Sequence, residues 1–340
     1  MPQLTVVLLQ KAGLRVAAVL LAVFFPFTSH ADQLAGQAEY SLLFGHHVPE
    51  SVARRIAATT AWLDALAKTT EALSAVRLLQ WGARDTQGRQ ALASVVLTPG
   101  VRSTRKGQQV SVQVRMSATL RTVEDRLRKM LHEPEALELC GEMLRLEQEK
   151  AEEARGVIER PGALRRGMRG LRASEKARVA LLADQLEALW LLRSLVPQRE
   201  GGRWRDPRTA LPVLRQAAAL DPDYAPLRRL LGEVLLQLDR PQDALAELDR
   251  ALTLHPECAG ALYTRGLAHL RLQLPTLAER DFSTALAYDA SHAAWWRARG
   301  ALRMIRSESG PMCEDFTRAC ALGDCEGLAV ARDRGLCLAE

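Results

Sequence analysis

The sequence predicts a mainly α-helical protein, in which a small α+β domain and a helical connector precede an array of repeated helical hairpins. Composition is the first observation: aromatic residues make up only 5% of the 340 residues, whereas Leu and Ala are abundant, and this balance favours helix over an all-β sandwich. The second is a recurrence of small and apolar residues every 34 residues in the last third of the chain. A period of that length is typical of stacked helix pairs.

Charge gives little indication of a nucleic-acid partner. The 46 basic residues are nearly balanced by 40 acidic residues, for a formal net charge of +6. Apolar residues make up 48% of the chain and charged residues 25%, as in ordinary folded proteins. We therefore expect no nucleic-acid partner.

The amino terminus has the pattern of an export signal. Lys11 and Arg15 precede the apolar run 16–27, and Ser29 and Ala31 are the small residues that a signal peptidase reads. The run has about 12 residues, fewer than the ~20 of a membrane-spanning helix. We predict a signal peptide over 1–31, cleavage after Ala31 and a periplasmic mature protein without an integral membrane span. An uncleaved anchor is the alternative.

Residues 32–130 predict the small α+β domain. Pro49 is placed to open an amphipathic helix, and turn residues stand at 98–100 and 105–107. Alternation of apolar and polar residues predicts three strands, at Ala38–Gly45, Ala91–Leu97 and Gln109–Ala118. This order of strand, long helix and hairpin resembles small exported α+β domains such as the amino-terminal domain of flagellar assembly protein T.

The connector spans 131–172. A first amphipathic helix is predicted at Leu120–Leu131, at the end of the α+β domain, and a second at Pro134–Ile158. The basic stretch Arg165–Arg172 follows them. It fits a solvated linker, and the alternative is a patch for an acidic partner or a membrane surface.

The repeat occupies the last third. The residues that recur at 34-residue steps are Gly232, Gly266 and Gly300; Ala217, Ala251, Ala285 and Ala319; and Leu214, Leu248, Phe282 and Phe316. Small residues let two helices approach closely, and the large apolar residue fills the space between them. The segments 225–258, 259–292 and 293–326 therefore resemble tetratricopeptide repeats.

The same resemblance extends the array to 173–340. Pro207–Leu220 is similar to the second helix of an earlier repeat, Ala173–Val196 to its long first helix, and Glu326–Arg334 to a capping helix. Departures from the family pattern are Arg265 and Arg299 in place of Leu, Met312 in place of a small residue and Asp324 in place of Pro.

Four of the six cysteines lie in the last 28 residues, which suggests disulfides in an exported protein. Cys313 and Cys320 are seven residues apart, about 10 Å along one helix and too far for a direct bond. Cys320 with Cys325 is the simplest pairing, which leaves Cys313 with Cys337; free thiols are the alternative. The sequence lacks C-x-x-C spacing, so we expect no metal. The ending Ala319–Cys325 also resembles Sel1-like repeats, in which cysteines can staple paired helices.

The tetratricopeptide resemblance implies a concave groove that is lined by the first helix of each repeat. The corresponding positions are Arg229, Glu233 and Leu236; Tyr263, Leu267 and Leu270; and Arg297, Ala301 and Met304. Arg229 and Arg297 would hold a carboxylate of a protein or peptide partner, and Tyr263 and Met304 would supply apolar contacts. The alternative for each residue is an idle surface or core side chain. Trp296 is expected in the core and Trp295 is expected to be partly exposed.

Motifs of catalysis are missing from the sequence. His46-His47 lacks a metal-binding spacing, and neither a nucleophile elbow nor a phosphate-binding loop is present. We therefore expect a scaffold or adaptor of an envelope assembly, without enzyme activity or cofactor. The alternative is an envelope enzyme or accessory subunit whose small α+β domain binds a ligand or a glycan.

Overall fold

The structure is a computed structural model that describes residues 33–43, 49–73, 90–91, 93–94, 97–107, 109–119, 126, 134–158, 172–200 and 202–337. The chain divides between Arg205 and Asp206 into two compact units. The predicted signal peptide, His46-His47 and the basic stretch 165–171 lie outside the described residues.

The first unit joins a three-stranded sheet to long helices. Its elements are β1 (Gln33–Leu43), α1 (Glu50–Leu73), β2 (Thr98–Lys106), β3 (Gln109–Thr119), α2 (Pro134–Ile158) and α3 (Ala173–Leu195), followed by the two-residue strands β4 (Arg199–Glu200) and β5 (Arg203–Trp204). The sheet is antiparallel with β3 in the centre, so that Val112 pairs with Tyr40 of β1 and with Ser103 of β2.

Strand β3 has the alternation of apolar and polar residues from which it was predicted. Val110, Val112, Val114 and Met116 are fully buried in one core with residues of α1, whereas Arg115 on the opposite face is exposed. Burial of alternate side chains is what a sheet with one wet face requires. The strand and the long helix predicted after Pro49 are therefore confirmed.

The strand predicted at Ala91–Leu97 is wrong. Ala91, Ala93 and Ser94 are helical, and the amide of Leu97 donates to the carbonyl of Ala93 at 3.0 Å. Strand β2 instead begins at Thr98, within a segment that Pro99 and Gly100 marked as a turn. Because β2 lies at an edge of the sheet, it tolerates Pro and Gly, and a short apolar run such as 91–97 fits a buried helix as well as a strand.

Helices α2 and α3 complete the first core. Leu144 of α2 and Leu182 and Leu186 of α3 are buried in the cluster that includes Ile56 of α1. The boundary therefore falls after Arg205, whereas the sequence placed α3 in the repeat array. The apolar stripe of α3 matches the surface of α1 and α2, and a stripe by itself does not specify which helices will cover it.

The second unit consists of eight helices within the described residues. They are α4 (Pro207–Leu220), α5 (Ala225–Gln237), α6 (Pro241–Leu254), α7 (Ala259–Arg271), α8 (Pro275–Tyr288), α9 (Ala293–Ile305), α10 (Ser309–Ala321) and α11 (Glu326–Asp333). The pairs α5–α6, α7–α8 and α9–α10 are the three predicted hairpins. Helix α11 is where the capping helix was expected.

The recurring glycines do what their spacing predicted. A Cβ on Gly266 would lie 2.5 Å from the Phe282 ring, and a Cβ on Gly232 would lie 2.6 Å from Leu248. Both distances are too short for any residue with a Cβ, so only glycine fits. Each hairpin therefore packs its large apolar residue directly against a helix backbone. Met312, in place of the usual small residue, is buried beside Phe316 and Leu328. The predicted fold class is confirmed.

Candidate partner-binding groove

The first helices of the repeats lie side by side. The Arg229 side chain of α5 passes over Gly260 of α7, where a Cβ would lie 3.3 Å from the Arg229 Cδ. Tyr263 of α7 stacks on Trp295 of α9 with ring centroids 5.4 Å apart. Arg297 of α9 reaches the turn before α11. Helices α5, α7, α9 and α11 therefore form one continuous surface.

All nine predicted groove residues are half-buried. Leu267 and Leu270 pack partly against Phe282, and Met304 packs partly against Met312 and Phe316. Each side chain thus has one side in the core and another at the surface. Such residues can contribute apolar contact area to a partner without having to reorganise first.

The Arg229 end of the groove is neutralised within its own helix. Arg229 forms an ion pair with Glu233, one helical turn later, and the two side chains are only 13% and 14% exposed. Glu233 thus supplies the carboxylate that the sequence led us to expect from a partner. The pair leaves this end of the groove polar with little net charge.

The Arg297 end is neutralised from the next segment. Its Nε donates to Asp324 Oδ2 at 2.7 Å, and its Nη1 lies 3.6 Å from Glu326 Oε2. The Arg297 side chain remains 43% exposed. Asp324 occupies the position at which the family pattern has Pro, so that this departure in the sequence provides a carboxylate in the structure.

The tryptophan pair differs from expectation. Trp295 is buried, with its ring stacked 4.2 Å from that of His292 as well as against Tyr263. Trp296 is half-buried, and its Nε1 donates to the carbonyl of Ala290 at 2.9 Å. The prediction of a partly exposed Trp295 was wrong because the neighbouring repeat, through Tyr263, covers that side chain.

Two buried ion pairs were missed by the sequence analysis. Arg265 donates to both carboxylate oxygens of Asp281 at 2.9 and 2.7 Å, and Arg299 does the same with Asp315 at 3.0 and 2.8 Å. The acids are 4% and 1% exposed. The 34-residue step that relates Glu247, Asp281 and Asp315 was a visible signal for them.

These pairs also join neighbouring repeats. Arg265 Nη1 donates to Asp249 of the preceding hairpin at 2.9 Å, and Arg299 Nη1 donates to Ser283 at 3.1 Å. His269 Nε2 lies 3.5 Å from Asp281, and burial lowers the pKa of His269 although the Asp281 charge opposes that effect. Arginine in place of the usual leucine therefore connects repeats through polar contacts.

The tetratricopeptide repeat family model matches residues 205–259, the segment from the start of α4 to the start of α7. The matched segment is a tetratricopeptide repeat, and the hairpins α7–α8 and α9–α10 continue its 34-residue period. No curated protein matches the chain. The resemblances of the first unit to flagellar assembly protein T and of the last repeat to Sel1-like repeats stay predictions.

Several solved structures are similar to the chain. The structure of Pseudomonas aeruginosa pilF is 19% identical, and the similarity covers 55% of this chain and 88% of that chain, with a TM-score of 0.39. YrrB, described as a tetratricopeptide protein with an unusual peptide-binding site, is 17% identical over 53% and 88%, with a TM-score of 0.35. MamA is 20% identical over 39% and 81%, with a TM-score of 0.34.

The four cysteines from α10 onwards form two pairs. Cys313 is bonded to Cys337 and Cys320 to Cys325, with Cα atoms 5.7 and 4.0 Å apart. This is the pairing that the sequence predicted.

In the first unit, burial raises the pKa of the Cys140 thiol to about 12, so that this cysteine is unreactive.

Two places among the described residues of the first unit have paired charged groups. Glu147 is fully buried with Arg193, Oε2 to Nη2 at 2.6 Å, and burial raises the pKa of Glu147. An open cleft of about 360 Å³ at the start of α1 has Arg54 paired with Glu50 at 2.5 Å and Arg55 paired with Glu187 at 3.1 Å. Within the described ranges, no cluster of three His, Cys, Asp or Glu side chains is placed to hold a metal ion.

Among the described helices, none combines the length and the apolarity that are needed to cross a membrane.

Proposed function

We propose that the protein is an exported tetratricopeptide scaffold that binds a partner protein or peptide along the groove formed by α5, α7, α9 and α11. The observation that carries this proposal is the lateral alignment of these four helices, with nine half-buried side chains along the first three, α5, α7 and α9. The match to the tetratricopeptide family supports a protein-interaction scaffold and favours it over an enzyme.

The chemistry of the groove favours an apolar partner segment. Six of the nine groove residues are apolar, and the central ones are Leu267, Leu270 and Met304. The two arginines already have carboxylate partners at the ends of the groove. A partner that offers only a carboxylate has to replace an existing ion pair, whereas apolar side chains gain contact area at once.

Photo-cross-linking tests the proposal. The chain has no lysine after Lys176, so amine-reactive reagents do not report on the repeat hairpins. We would place a benzophenone amino acid at Leu270 in the groove and, as a matched control, at Arg250 on the second helix α6, where the side chain is 63% exposed. We expect a defined protein adduct in envelope extract from position 270 and none from position 250. Equal adducts at both positions, or none at 270, would contradict the groove.

Export is proposed from the sequence pattern at 1–31 and from the paired cysteines, which need an oxidising compartment. The test is the amino terminus of the mature protein, read by mass spectrometry after cell fractionation. We expect it to begin directly after Ala31 in the periplasmic fraction. A full-length chain in the cytosolic fraction would contradict export, whatever the groove binds.

A further inference from the structure

The turn between α10 and α11 holds one end of the groove. Cys320 lies in the last turn of α10, and Cys325 directly precedes α11. Between them the backbone reverses at Gly323, with φ of +101°, and the amide of Asp324 donates to the carbonyl of Ala319 at 3.0 Å. The Cys320–Cys325 disulfide closes this turn and fixes the residue between Gly323 and Cys325, which is Asp324.

Two carboxylates of this region lie on Arg297. Asp324 accepts from its Nε at 2.7 Å, and Glu326 lies 3.6 Å from its Nη1. The equivalents of Asp324 in the earlier repeats are Pro256 and Ala290, which carry no charge. The contact is therefore a feature of the last repeat alone, and it places an acid of this chain where the acid of a partner would bind.

The two disulfides differ in accessibility. Cys325 is exposed and Cys320 is half-buried, whereas Cys337 is only 7% exposed. A reductant therefore reaches Cys320–Cys325 more readily than Cys313–Cys337. Packing as well as the disulfide holds α11, because Leu328 of α11 and Phe316 of α10 belong to one buried cluster.

We propose that the Cys320–Cys325 turn is a redox-sensitive gate over Arg297: while the disulfide is closed, Asp324 occupies this arginine, and after reduction Arg297 becomes available to a carboxylate of the partner. The reductant is a dithiol. Its two sulfurs form a new disulfide, the Cys320–Cys325 bond breaks, and both protein sulfurs become thiols, so that two electrons and two protons are transferred. The role of Arg297 as a partner contact rests on the proposed function, but the gate itself is measurable without a partner.

The test measures how fast phenylglyoxal modifies Arg297 in the purified mature protein, by peptide mass spectrometry and relative to Arg240 in the same sample. Mild dithiothreitol treatment is adjusted until two thiols per chain are released. We expect modification of Arg297 to become about threefold faster, as loss of a partly exposed ion pair of ordinary strength would give. We expect the same increase for oxidised Asp324→Asn, with no further effect of the reductant on that variant.

Two double variants separate a gate from general loosening. Cys320→Ser with Cys325→Ser should reproduce the fast modification of Arg297 without reductant, whereas Cys313→Ser with Cys337→Ser should not. An unchanged rate after reduction would overturn the proposal, and so would equal rates in the two double variants. Neither result bears on whether Leu270 cross-links a partner, so the gate and the groove can fail independently.

Discussion

Asp315 is the acid on which the last tetratricopeptide repeat depends most. It is 1% exposed and accepts hydrogen bonds from Arg299 at 2.8 and 3.0 Å and from Arg303 at 3.0 Å. Asp315→Ala removes one carboxylate and leaves two guanidinium groups in a mostly buried place, since their side chains are 14% and 17% exposed. Breaking a buried pair from one side costs about 3–5 kcal/mol. We expect about 3 kcal/mol, because the arginines retain some contact with water.

Hydrogen exchange of the full chain, resolved by peptide, is the assay for Asp315→Ala. A loss of about 3 kcal/mol corresponds to amide exchange about a hundredfold faster in α9 and α10. Asp249→Ala is the control, because its carboxylate also accepts from an arginine, Arg265, but through a single hydrogen bond at 2.9 Å and with 62% of the side chain exposed. For this variant we expect a change of at most about 1 kcal/mol in α7. If the two variants accelerated amide exchange equally, burial of Asp315 would not be the source of the lost stability.

Two further predictions concern packing and pH. Gly266→Ala places a Cβ 2.5 Å from the Phe282 ring and should lower the free energy of unfolding by about 1–3 kcal/mol. Gly310→Ala is the control and should not lower it, because nothing lies within 4 Å of the added Cβ. Thermal unfolding followed by circular dichroism compares the two variants, and an equal loss of stability in both would contradict the packing argument. The pKa of His269 is lower in the folded chain than in the unfolded chain, so the unfolded chain binds a proton at this residue at a higher pH. The stability that neutral His269 provides is therefore complete above about pH 6.5 and is lost as the pH falls through the folded pKa. His269→Leu should flatten the pH dependence of unfolding in that range, and an unchanged slope would contradict it.

Local sequence patterns predicted the helices that pack against another helix of the same repeat. Gly232 and Leu248 stand sixteen residues apart, as do Gly266 and Phe282, and this spacing recurs because the same helix pair is built each time. Val112 on β3 is likewise fully buried, as the alternation along β3 predicted, because the strand needs only its two neighbours β1 and β2 and the covering helix α1. In such cases the sequence interval and the spatial contact carry the same information.

Patterns were less informative where partners come from a distance. Helix α3 has an apolar stripe that suits a repeat, yet it is covered by α1 and α2, because a stripe records that a face is buried and not by what. Strand β2 is held by its pairing to β3 rather than by its own alternation. Trp295 is buried because Tyr263, thirty-two residues earlier, stacks on it.

The sequence by itself determined the repeat period and the hairpins with the helix that follows them. It also predicted the cysteine pairing and named nine candidate groove residues, whose role in binding stays a prediction. Only the tertiary structure decided which acid neutralises each arginine, since Arg297 meets Asp324 across a turn and Arg265 meets Asp281 across a hairpin. An ion pair depends on side-chain atoms that meet within about 4 Å, and a recurring residue interval indicates candidate acids without specifying that distance.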